Sequence, residues 1–402
     1  MSRTILVVAP YLPAPPNFGG ALRIYHLIKN LSQEHSVILL APGNESELAS
    51  AWDLHDICDV ALVPARTTAR QPAGRHKRWA QITSMTTGRP FLELSSYSPQ
   101  FQAVLNRIFM TRIIDLVQFE FPESALYTLP RSIPTVFDAH NVEHDLLRRV
   151  AASSESTARR AFNLMESRKL KRIEVNAWNQ ATVCVATSER DAELMRQLTS
   201  TRVEVVPNGV DLDAFGEVRN TVPKPHHVVF SGAMRHQPNA DGASWYVREV
   251  HPLVQRHIAD ASVAVVGADP PASMRALSST SVEITGQVED VRPYLSRAKV
   301  AVVPLWSGGG TRLKVLEAFA AGRSVVSTTI GAEGIDARDG EHLLLADSPE
   351  AFAEAIVRVL VDDALAAGLG SAGRQLAEER YGWGNITRQL VATHDQALIS
   401  KP

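Results

Sequence analysis

Residues 300–322 read VAVVPLWSGGGTRLKVLEAFAAG. The stretch opens on four small or β-branched apolar residues, a pattern typical of a buried parallel strand. Three consecutive glycines follow, and after Thr311 the apolar residues recur at helical spacing. The stretch therefore predicts a strand, a glycine loop and a helix that begins near Thr311, which together form the repeating unit of an α/β sheet.

The same alternation of short apolar runs and helix-like segments extends in both directions from this unit. It predicts parallel strands joined by helical crossovers. The predicted strands are residues 4–9, 36–40, 113–119, 134–137, 181–187 and 203–207 in the first half, and 228–231, 262–266, 282–285, 299–304, 324–327 and 342–345 in the second. The chain is therefore predicted to be an α/β protein with two Rossmann-like, doubly wound parallel sheets.

At 402 residues the chain is longer than one hydrophobic core usually serves, which favours two domains. A turn-forming cluster at 208–211 and a proline-rich link at 223–225 mark the change from the first series of strands to the second. We predict an N-terminal domain over 1–205, a C-terminal domain over 206–380, and a C-terminal helix over 381–402 that crosses back to the N-terminal domain. Ligands bind beyond the carboxyl ends of such strands, so a cleft between the facing domains is the expected site.

The composition is that of an ordinary globular protein, with 45% hydrophobic and 21% charged residues. No apolar run approaches the roughly 18 residues of a membrane span, and the run after Arg3 is shorter than the ~7–15 residues of a signal peptide. Cys58 and Cys184 lie far apart without metal-ligand spacing, which favours a reducing cytoplasm. The net charge of −2 argues against a protein that generally binds nucleic acid.

Two stretches of the first half are nonetheless basic. Residues 64–92 hold six Lys or Arg and no acid, and residues 146–172 hold eight Lys or Arg and two acids. Clustered cations gain about 1 kcal/mol each near an anionic membrane, so these stretches predict a peripheral contact with the inner face of such a membrane. A solvated helix face is the alternative interpretation.

The glycine loop has the features of a phosphate site. Glycines let the backbone approach an anion closely, and the start of a helix offers unpaired N–H groups and a positive dipole end. Arg312 and Lys314 add two cations where cations oppose the helix dipole, so an anionic ligand would explain them. Glu317 stands in an otherwise apolar helix and needs a partner, which ribose hydroxyls could supply. The alternative is a simple i,i+3 surface pair between Lys314 and Glu317.

Several motifs together resemble the large group 1 (family 4-like) family of retaining glycosyltransferases, which have the GT-B fold of two Rossmann-like domains facing across a cleft. They are Gly19-Gly20, Asp138-Ala139-His140-Asn141, Pro207-Asn208-Gly209-Val210-Asp211, the run from Phe230 to Asn239, and residues 307–322. The resemblance covers nearly the whole chain and implies that the N-terminal domain binds the acceptor and the C-terminal domain binds the nucleotide sugar. It implies transfer of a hexose from a nucleotide diphosphate sugar to a glycan, lipid-linked or small-molecule acceptor in polysaccharide or glycolipid biosynthesis, with retention and with neither a metal nor another cofactor.

The resemblance also exposes two departures from the family pattern. Glu317 matches the second of two paired glutamates and is expected to bind the nucleotide ribose, whereas the first would fall at Gly309. The arginine that commonly follows Gly232 is Ala233 here. We therefore expect Arg312 and Lys314 to supply the charges that neutralise the departing diphosphate. Without a carboxylate at 309, front-side attack assisted by that phosphate is the favoured mechanism.

The remaining positions follow from the same resemblance. His140 corresponds to a histidine near the donor sugar, and Gly19, Gly20 and Arg23 correspond to a loop that approaches the acceptor or the diphosphate. The predicted catalytic residues are His140, Arg312 and Lys314, and no metal ligand is predicted. The predicted contacts to the nucleotide sugar are Gly232, Gly286, Val288, Gly308, Gly309, Gly310, Thr311, Glu317 and Glu333.

Two other functions stay open on the sequence. A catalytically degenerate protein that only binds sugar nucleotide would also lack the first glutamate and the arginine after Gly232. A sugar-nucleotide 2-epimerase shares the two-domain fold. A dehydrogenase is disfavoured, because no Gly-x-Gly-x-x-Gly opens the first helix.

Overall fold

The computed structural model describes residues 2–16, 18–44, 47, 54–64, 74–130, 133–152, 156–307 and 310–400. It divides into two compact units, residues 1–207 with 386–402 (unit 1) and residues 208–385 (unit 2). The proline-rich link at 223–225 lies inside unit 2 and is not the place where the units divide. Among the described residues, no helix has the length and apolar character needed to span a bilayer.

Unit 1 is built on a parallel sheet of seven strands in the order β3-β2-β1-β4-β5-β6-β7. The strands are β1 (Thr4–Val8), β2 (Ser36–Gly43), β3 (Asp59–Pro64), β4 (Leu116–Glu120), β5 (Thr135–Ala139), β6 (Val183–Ala186) and β7 (Val203–Val205). The helices are α1 (Gly19–Leu31), α2 (Gly74–Thr86), α3 (Phe91–Ser96), α4 (Pro99–Thr111), α5 (Phe121–Ser124), α6 (Glu143–Ala152), α7 (Thr157–Gln180) and α8 (Glu189–Arg196).

Unit 2 is built on a parallel sheet of six strands in the order β10-β9-β8-β11-β12-β13. These strands are β8 (His227–Ser231), β9 (Ser262–Val266), β10 (Val282–Gly286), β11 (Val300–Val303), β12 (Ser324–Ser327) and β13 (Leu344–Leu345). The helices are α9 (Gly216–Arg219), α10 (Gln237–Trp245), α11 (His251–His257), α12 (Ala272–Arg275), α13 (Arg292–Arg297), α14 (Leu313–Ala320), α15 (Pro349–Val361) and α16 (Asp363–Leu376). The C-terminal helix is α17 (Trp383–Ile399), most of which belongs to unit 1.

The central strands are buried on both faces, which explains why they read as unbroken apolar runs. All four residues of β11 are buried, as are those of β4 and β5. Burial at roughly 25 cal/mol per Å² of apolar surface makes these strands the centre of each unit's stability. Glu120 and Asp138 are the buried acids on β4 and β5, and both stand at or near the carboxyl end of their strand.

Each strand predicted from the sequence overlaps an observed strand, and one strand was missed. The missed strand is β3, which pairs with β2 at the edge of the sheet and is only partly buried. Its short run between acidic and proline residues gave a weaker apolar signal than the central strands. The C-terminal helix α17 begins in unit 2, and from Ile386 onward it belongs to unit 1.

Two predicted local structures differ in detail. The helix after the glycine loop begins at Leu313, and Arg312 is its N-terminal capping position with non-helical backbone, so the start near Thr311 was two residues early. Gly19 and Gly20 form the first turn of α1 and are not part of the loop that precedes it. A Cβ on Gly20 would lie 2.2 Å from the Tyr11 hydroxyl, so close packing explains that glycine.

Candidate functional site

Three glycines line the carboxyl ends of neighbouring strands in unit 2. Gly232 follows β8, Gly267 follows β9 and Gly286 ends β10, with φ of +156°, +151° and +73°. The Gly232 amide donates to the Val266 carbonyl at 2.9 Å, and the Gly267 amide donates to the Gly286 carbonyl at 3.1 Å. A Cβ on Gly267 would lie 1.9 Å from the Gly232 oxygen. The absence of side chains therefore leaves bare backbone along this edge of the sheet.

Lys314, in the first turn of α14, reaches back to the loop after β8. Its ammonium donates to Asn239 Oδ1 at 2.8 Å and lies 4.3 Å from the centre of the Phe230 ring. A Cβ on Gly232 would lie only 2.8 Å from Nζ. Burial lowers the pKa of Lys314 to about 7, although the nearby Glu317 carboxylate opposes this shift. Glycine at position 232 thus leaves room for the Lys314 ammonium. Ala233, which stands where the family commonly has an arginine, supplies no charge.

Glu317 lies one turn further along the same helix and is partly buried. Burial raises the pKa of its carboxyl group to about 7, and the attraction of Lys314 offsets only part of that shift. Within the part of the chain that the structure describes, the carboxylate makes no hydrogen bond or ion pair. The Lys314 ammonium donates instead to Asn239, although the charges of Lys314 and Glu317 still attract each other.

Arg312 and Glu333 form an ion pair beside the glycine loop. The buried guanidinium donates from Nη2 to the Ile330 carbonyl at 3.2 Å, and the same atom lies 3.5 Å from Glu333 Oε2. Gly334 has φ +83°, and a Cβ there would lie 2.9 Å from the Gly310 carbonyl. The loop around Glu333 therefore packs directly on the end of the glycine loop, and Arg312 is held by that contact.

The other predicted contacts of unit 2 lie on the same side of its sheet. The Thr311 hydroxyl accepts from the Asn208 amide at 3.2 Å, which joins the 207–211 motif to the glycine loop. Gly310 has φ +64°, in the left-handed region that favours glycine. Val288 packs partly buried against the core next to the turn at Gly286. The predicted contacts Gly308 and Gly309 lie outside the described residues.

The carboxyl ends of β4 and β5 in unit 1 carry a second polar cluster. His140 Nε2 lies 2.6 Å from Glu120 Oε2, and the His140 ring stacks on Phe121 at 3.8 Å between centroids. Burial raises the pKa of Glu120 to about 7. The Gln118 amide donates to Glu120 at 2.6 Å, and its oxygen lies 2.8 Å from His394 Nε2. The cluster thus connects His140 to the C-terminal helix.

Arg23 occupies a different place from the one expected of it. Its guanidinium is fully buried and donates to both Asp138 carboxylate oxygens at 2.9 and 3.0 Å, and Nη1 donates to the Pro207 carbonyl at 2.9 Å. Direct contact with an acceptor or a diphosphate would require this pair to open. Arg23 therefore joins α1 to β5 in this structure, and its contact with an acceptor or a diphosphate stays a prediction.

Glu120, Asp138 and His140 are the one described group whose ligand atoms all lie within 4.8 Å of one another, as a metal site needs. The donor set does not suit a cation, however. Asp138 is held by both arms of the Arg23 guanidinium, and Glu120 is bonded to Gln118 and His140. A metal ion would have to displace a buried positive charge to enter.

Three residues of this cluster were not predicted from the sequence: Glu120, Gln118 and His394. Glu120 directly follows a predicted strand, so the rule that ligands gather at strand ends could have singled it out. Gln118 lies inside that strand and His394 lies 276 residues away, so only the folded chain brings them together. Asn239 ends one of the motifs that resemble the family, and its role as the partner of Lys314 was not foreseen.

Comparison with known proteins identifies both halves of the chain. Residues 225–362 match the family described as "Glycosyl transferases group 1", and residues 19–214 match "Glycosyltransferase Family 4". A phosphatidyl-myo-inositol mannosyltransferase of Mycobacterium tuberculosis (strain ATCC 25618 / H37Rv) is 29% identical over 215 residues, which is 50% of this chain and 56% of that protein. The chain thus spans about half the length of the curated relatives it matches.

Solved structures extend the likeness to the whole chain. Sucrose-phosphate synthase from Thermosynechococcus elongatus has a TM-score of 0.72 at 18% identity, over 99% of this chain and 100% of that one. Anabaena HepE in complex with UDP and glucose has a TM-score of 0.65 at 15% identity, over 97% and 99%. These likenesses confirm the predicted α/β GT-B fold with two Rossmann-like parallel-sheet domains. The two family matches together cover most of the sequence, and the chain belongs to the group 1 family of glycosyltransferases.

Proposed function

We propose that this glycosyltransferase moves a hexose from a nucleotide diphosphate sugar to an acceptor hydroxyl, with retention of configuration and without a metal. The bond between the anomeric carbon and the diphosphate oxygen breaks, and a bond to the acceptor oxygen forms on the same face. The acceptor proton passes to the departing phosphate oxygen. The acceptor is a glycan, a lipid-linked sugar or a small molecule.

The observation that carries this proposal is the carboxylate of Glu317. It is partly buried on α14, its pKa is raised to about 7, and it makes no hydrogen bond or ion pair with the described residues. A partly buried acid without hydrogen bonds costs stability, so a ligand that donates hydrogen bonds explains its presence. The two hydroxyls of a ribose are donors of that kind, and a carboxylate can accept from both.

Lys314 supplies the charge that the reaction needs. Its ammonium lies against Gly232, beside the bare backbone of three strand ends, and Asn239 fixes its position. A diphosphate there would raise the lowered pKa of Lys314 and hold the side chain in its charged form. Arg312 adds a second cation, held against Ile330 and Glu333. Fixed charges aimed at a departing diphosphate stabilise the transition state more than the substrate.

His140 is proposed to contact the donor sugar from unit 1. It follows β5 directly, and Glu120 and Phe121 fix its ring. A carboxylate hydrogen-bonded to one ring nitrogen sets the tautomer of the imidazole. Glu120 therefore determines which hydrogen bond His140 can offer to a sugar hydroxyl.

The relatives suggest which donors should be tried first. The HepE structures contain UDP or UDP-glucose, and the mycobacterial relatives are named mannosyltransferases. We therefore propose a UDP-hexose or a nucleotide diphosphate mannose as the donor. Calorimetric titration with uridine, guanosine, adenosine and thymidine diphosphate sugars identifies the base. Release of nucleotide in the presence of acceptor extracts then measures turnover.

The same assay separates the alternatives. Donor binding with no nucleotide release from any acceptor extract would favour the degenerate binding protein. Appearance of an epimerised donor sugar would favour the 2-epimerase. Acceptor-dependent nucleotide release, with the product linkage retaining the anomeric configuration of the donor, supports the proposed reaction.

A peripheral contact with an anionic membrane is a further part of the proposal. The cations Arg168, Lys171 and Arg172 are exposed on α7, and Lys77 and Arg78 are exposed on α2. Each gains about 1 kcal/mol near an anionic surface. Co-sedimentation with vesicles that contain anionic lipid should therefore exceed that with neutral vesicles, and equal binding to both would contradict the contact.

A further inference from the structure

Four buried polar side chains form one chain of hydrogen bonds in unit 1. His140 Nε2 lies 2.6 Å from Glu120 Oε2, and the Gln118 amide donates to Glu120 Oε1, also at 2.6 Å. His394 Nε2 lies 2.8 Å from Gln118 Oε1. All four side chains are buried. The chain of bonds therefore runs through the interior from the residue after β5 to the C-terminal helix α17.

The chemistry of these groups fixes the direction of each hydrogen bond. An amide oxygen only accepts, so Nε2 of His394 carries a proton that it donates to Gln118. An ionised carboxylate likewise only accepts, so Nε2 of His140 carries a proton that it donates to Glu120. The opposite orientation of the Gln118 amide would turn its oxygen toward the carboxylate. All three hydrogen bonds are therefore directed toward Glu120.

His394 is a neutral donor at the far end of this chain. Burial lowers the pKa of His394 to about 3, and the charges of His35 and Arg3 lower it further, whereas that of Asp395 opposes the shift. A neutral imidazole carries one proton, so a proton on Nε2 leaves Nδ1 without one. Nδ1 of His394 is buried and has no hydrogen-bond partner among the described residues. The single N–H of this ring is thus used to fix the Gln118 amide.

Glu120 is a buried carboxylate whose charge depends on the groups around it. Burial raises the pKa of Glu120 to about 7, whereas the charge of Arg23 and the hydrogen bond from Gln118 oppose that shift. Asp138 is the neighbouring acid, and Arg23 donates to both oxygens of that carboxylate. Gln118 is therefore a donor on which the ionised form of Glu120 depends.

Phe121 holds the face of the His140 ring. It follows Glu120 with φ +66°, in the left-handed region that is uncommon for a bulky residue. Its ring lies against the imidazole, with centroids 3.8 Å apart. Such backbone strain persists where the surrounding structure fixes it, and it is concentrated at functional sites. The His140 ring is thus held at one nitrogen by Glu120 and on its face by Phe121.

We propose that Gln118 and His394 are positioning residues for His140. They hold the Glu120 carboxylate so that the neutral imidazole of His140 keeps its proton on Nε2, which makes Nδ1 a hydrogen-bond acceptor. Only the contact of His140 with a sugar rests on the proposed function, and the tautomer does not. The C-terminal helix thereby acts on the site through two hydrogen bonds and the Glu120 carboxylate.

The first test is made on the unsubstituted full chain without donor. Long-range 15N–1H NMR with 15N-labelled histidine reports which ring nitrogen carries the proton, and the signals of His140 and His394 are those that His140→Gln and His394→Gln remove. At about pH 9 the Glu120 carboxyl group is ionised, because its pKa is about 7. We expect the proton of both histidines on Nε2. A proton on Nδ1 of either ring overturns the proposal.

The second test removes the donor at the far end of the chain. His394→Leu should give a mixture of His140 tautomers in the free protein. Turnover should fall about tenfold at unchanged affinity for the nucleotide diphosphate, because a neutral hydrogen bond is worth roughly a factor of ten at most. Gln118→Leu should act in the same direction. His394→Gln places an amide N–H near the position of Nε2–H and should restore both the tautomer and the turnover.

Gln389→Leu, at an exposed residue of the same helix, is the matched control and should change neither measurement. If His394→Leu and Gln118→Leu fold as the wild type does and keep its tautomer and turnover, the proposal is overturned. It is also overturned if His394→Gln behaves like His394→Leu, since His394 would then only fill space.

The tautomer measurement keeps this inference apart from the proposed function. A chain that binds no nucleotide diphosphate sugar would contradict the proposed function, while the NMR spectra of the free protein would still decide the inference. A chain that transfers a sugar and carries the proton of His140 on Nδ1 would contradict the inference alone.

Discussion

Both units carry charged residues near the carboxyl ends of their parallel strands, but these residues differ in whether other side chains compensate their charge. At the carboxyl ends of β4 and β5 in unit 1, Asp138 is held by Arg23, and Glu120 is bonded to His140 and Gln118. In unit 2, the Glu317 carboxylate makes no hydrogen bond with the described residues and is only attracted by the charge of Lys314, whose ammonium donates to the neutral amide of Asn239. The side chains of the unit 1 cluster form hydrogen bonds and ion pairs with one another. Glu317 in unit 2 remains available to hydrogen-bond a ligand.

This difference separates residues that stabilise the fold from residues that are available to bind substrate. A buried charge that is paired contributes to stability mainly because removal of its partner is costly. A buried charge that is unpaired costs stability in the free protein and is explained by what it binds. Replacement of Arg23 should therefore be detected as a loss of stability, and replacement of Glu317 as a loss of nucleotide affinity. Both were predicted site residues.

The largest expected effect is on stability, at Arg23. Arg23→Ala leaves the Asp138 carboxylate buried without its cation and should lower the free energy of unfolding by about 3–5 kcal/mol. Urea denaturation followed by circular dichroism measures it. The exposed Arg107→Ala is the matched control and should change stability by less than ~0.5 kcal/mol. A loss at Arg23 no larger than that of the control would show that the pair does not hold unit 1.

The next effect is on catalysis, at Lys314. Lys314→Met keeps the length of the side chain and removes the charge, so kcat should fall about 10²–10³-fold, as it does when one fixed donor to a transition-state anion is lost. Steady-state nucleotide release measures it. Lys224→Met, at an exposed lysine of the same unit, is the control and should be active. Unchanged turnover in Lys314→Met with intact folding would contradict the catalytic role that we propose for this ammonium.

A smaller effect, of opposite sign to that of Arg23, is expected at Glu317. Because burial raises the pKa of Glu317 to about 7 from 4.5, the native state holds a proton that the unfolded state has released between these values. Stability therefore falls as the pH rises from 4.5 to 7, and the cost of the buried charge is fully present above 7.

Glu317→Gln removes this cost. The variant should be more stable than the wild type above about pH 7, by about 1 kcal/mol or more, since one pKa unit corresponds to roughly 1.4 kcal/mol. The advantage should vanish as the pH falls to 4.5. Urea titrations at a series of pH values test this, and a variant less stable than the wild type at every pH would mean that Glu317 is a structural residue.

No effect at all is expected from a metal chelator. The carboxylates of unit 1 are already bonded to Arg23, Gln118 and His140, which makes them poor ligands for a cation. Turnover should therefore be the same with and without EDTA. A strict requirement for a divalent ion would contradict both the proposed chemistry and the contrast between the two clusters.

The sequence predicted more of the fold than of the site, for physical reasons. Strands such as β11 are buried on both faces, so they can be recognised in the sequence as uninterrupted apolar runs. The edge strand β3 is partly exposed and its pattern is weaker. Glu317 and Lys314 could be identified as candidate site residues from the sequence, because charged side chains are unexpected in an otherwise apolar helix.

Long-range pairing explains what the sequence could not show. Arg23 meets Asp138 across 115 residues, and only that contact reveals that the guanidinium is buried. The pairing of Lys314 with Asn239 spans 75 residues and turns two unremarkable positions into one feature.

The Glu317 carboxylate makes no hydrogen bond with the described residues, and we propose that it binds the nucleotide ribose. Calorimetric titration of Glu317→Ala with the nucleotide diphosphate that the wild type binds measures this contribution. Loss of hydrogen bonds to a charged group is worth about 1.5–3 kcal/mol, so affinity should fall about 10–100-fold. Glu354→Ala, at an exposed glutamate of the same unit, should bind as the wild type does. Equal affinity of the Glu317→Ala variant and the wild type would contradict the account.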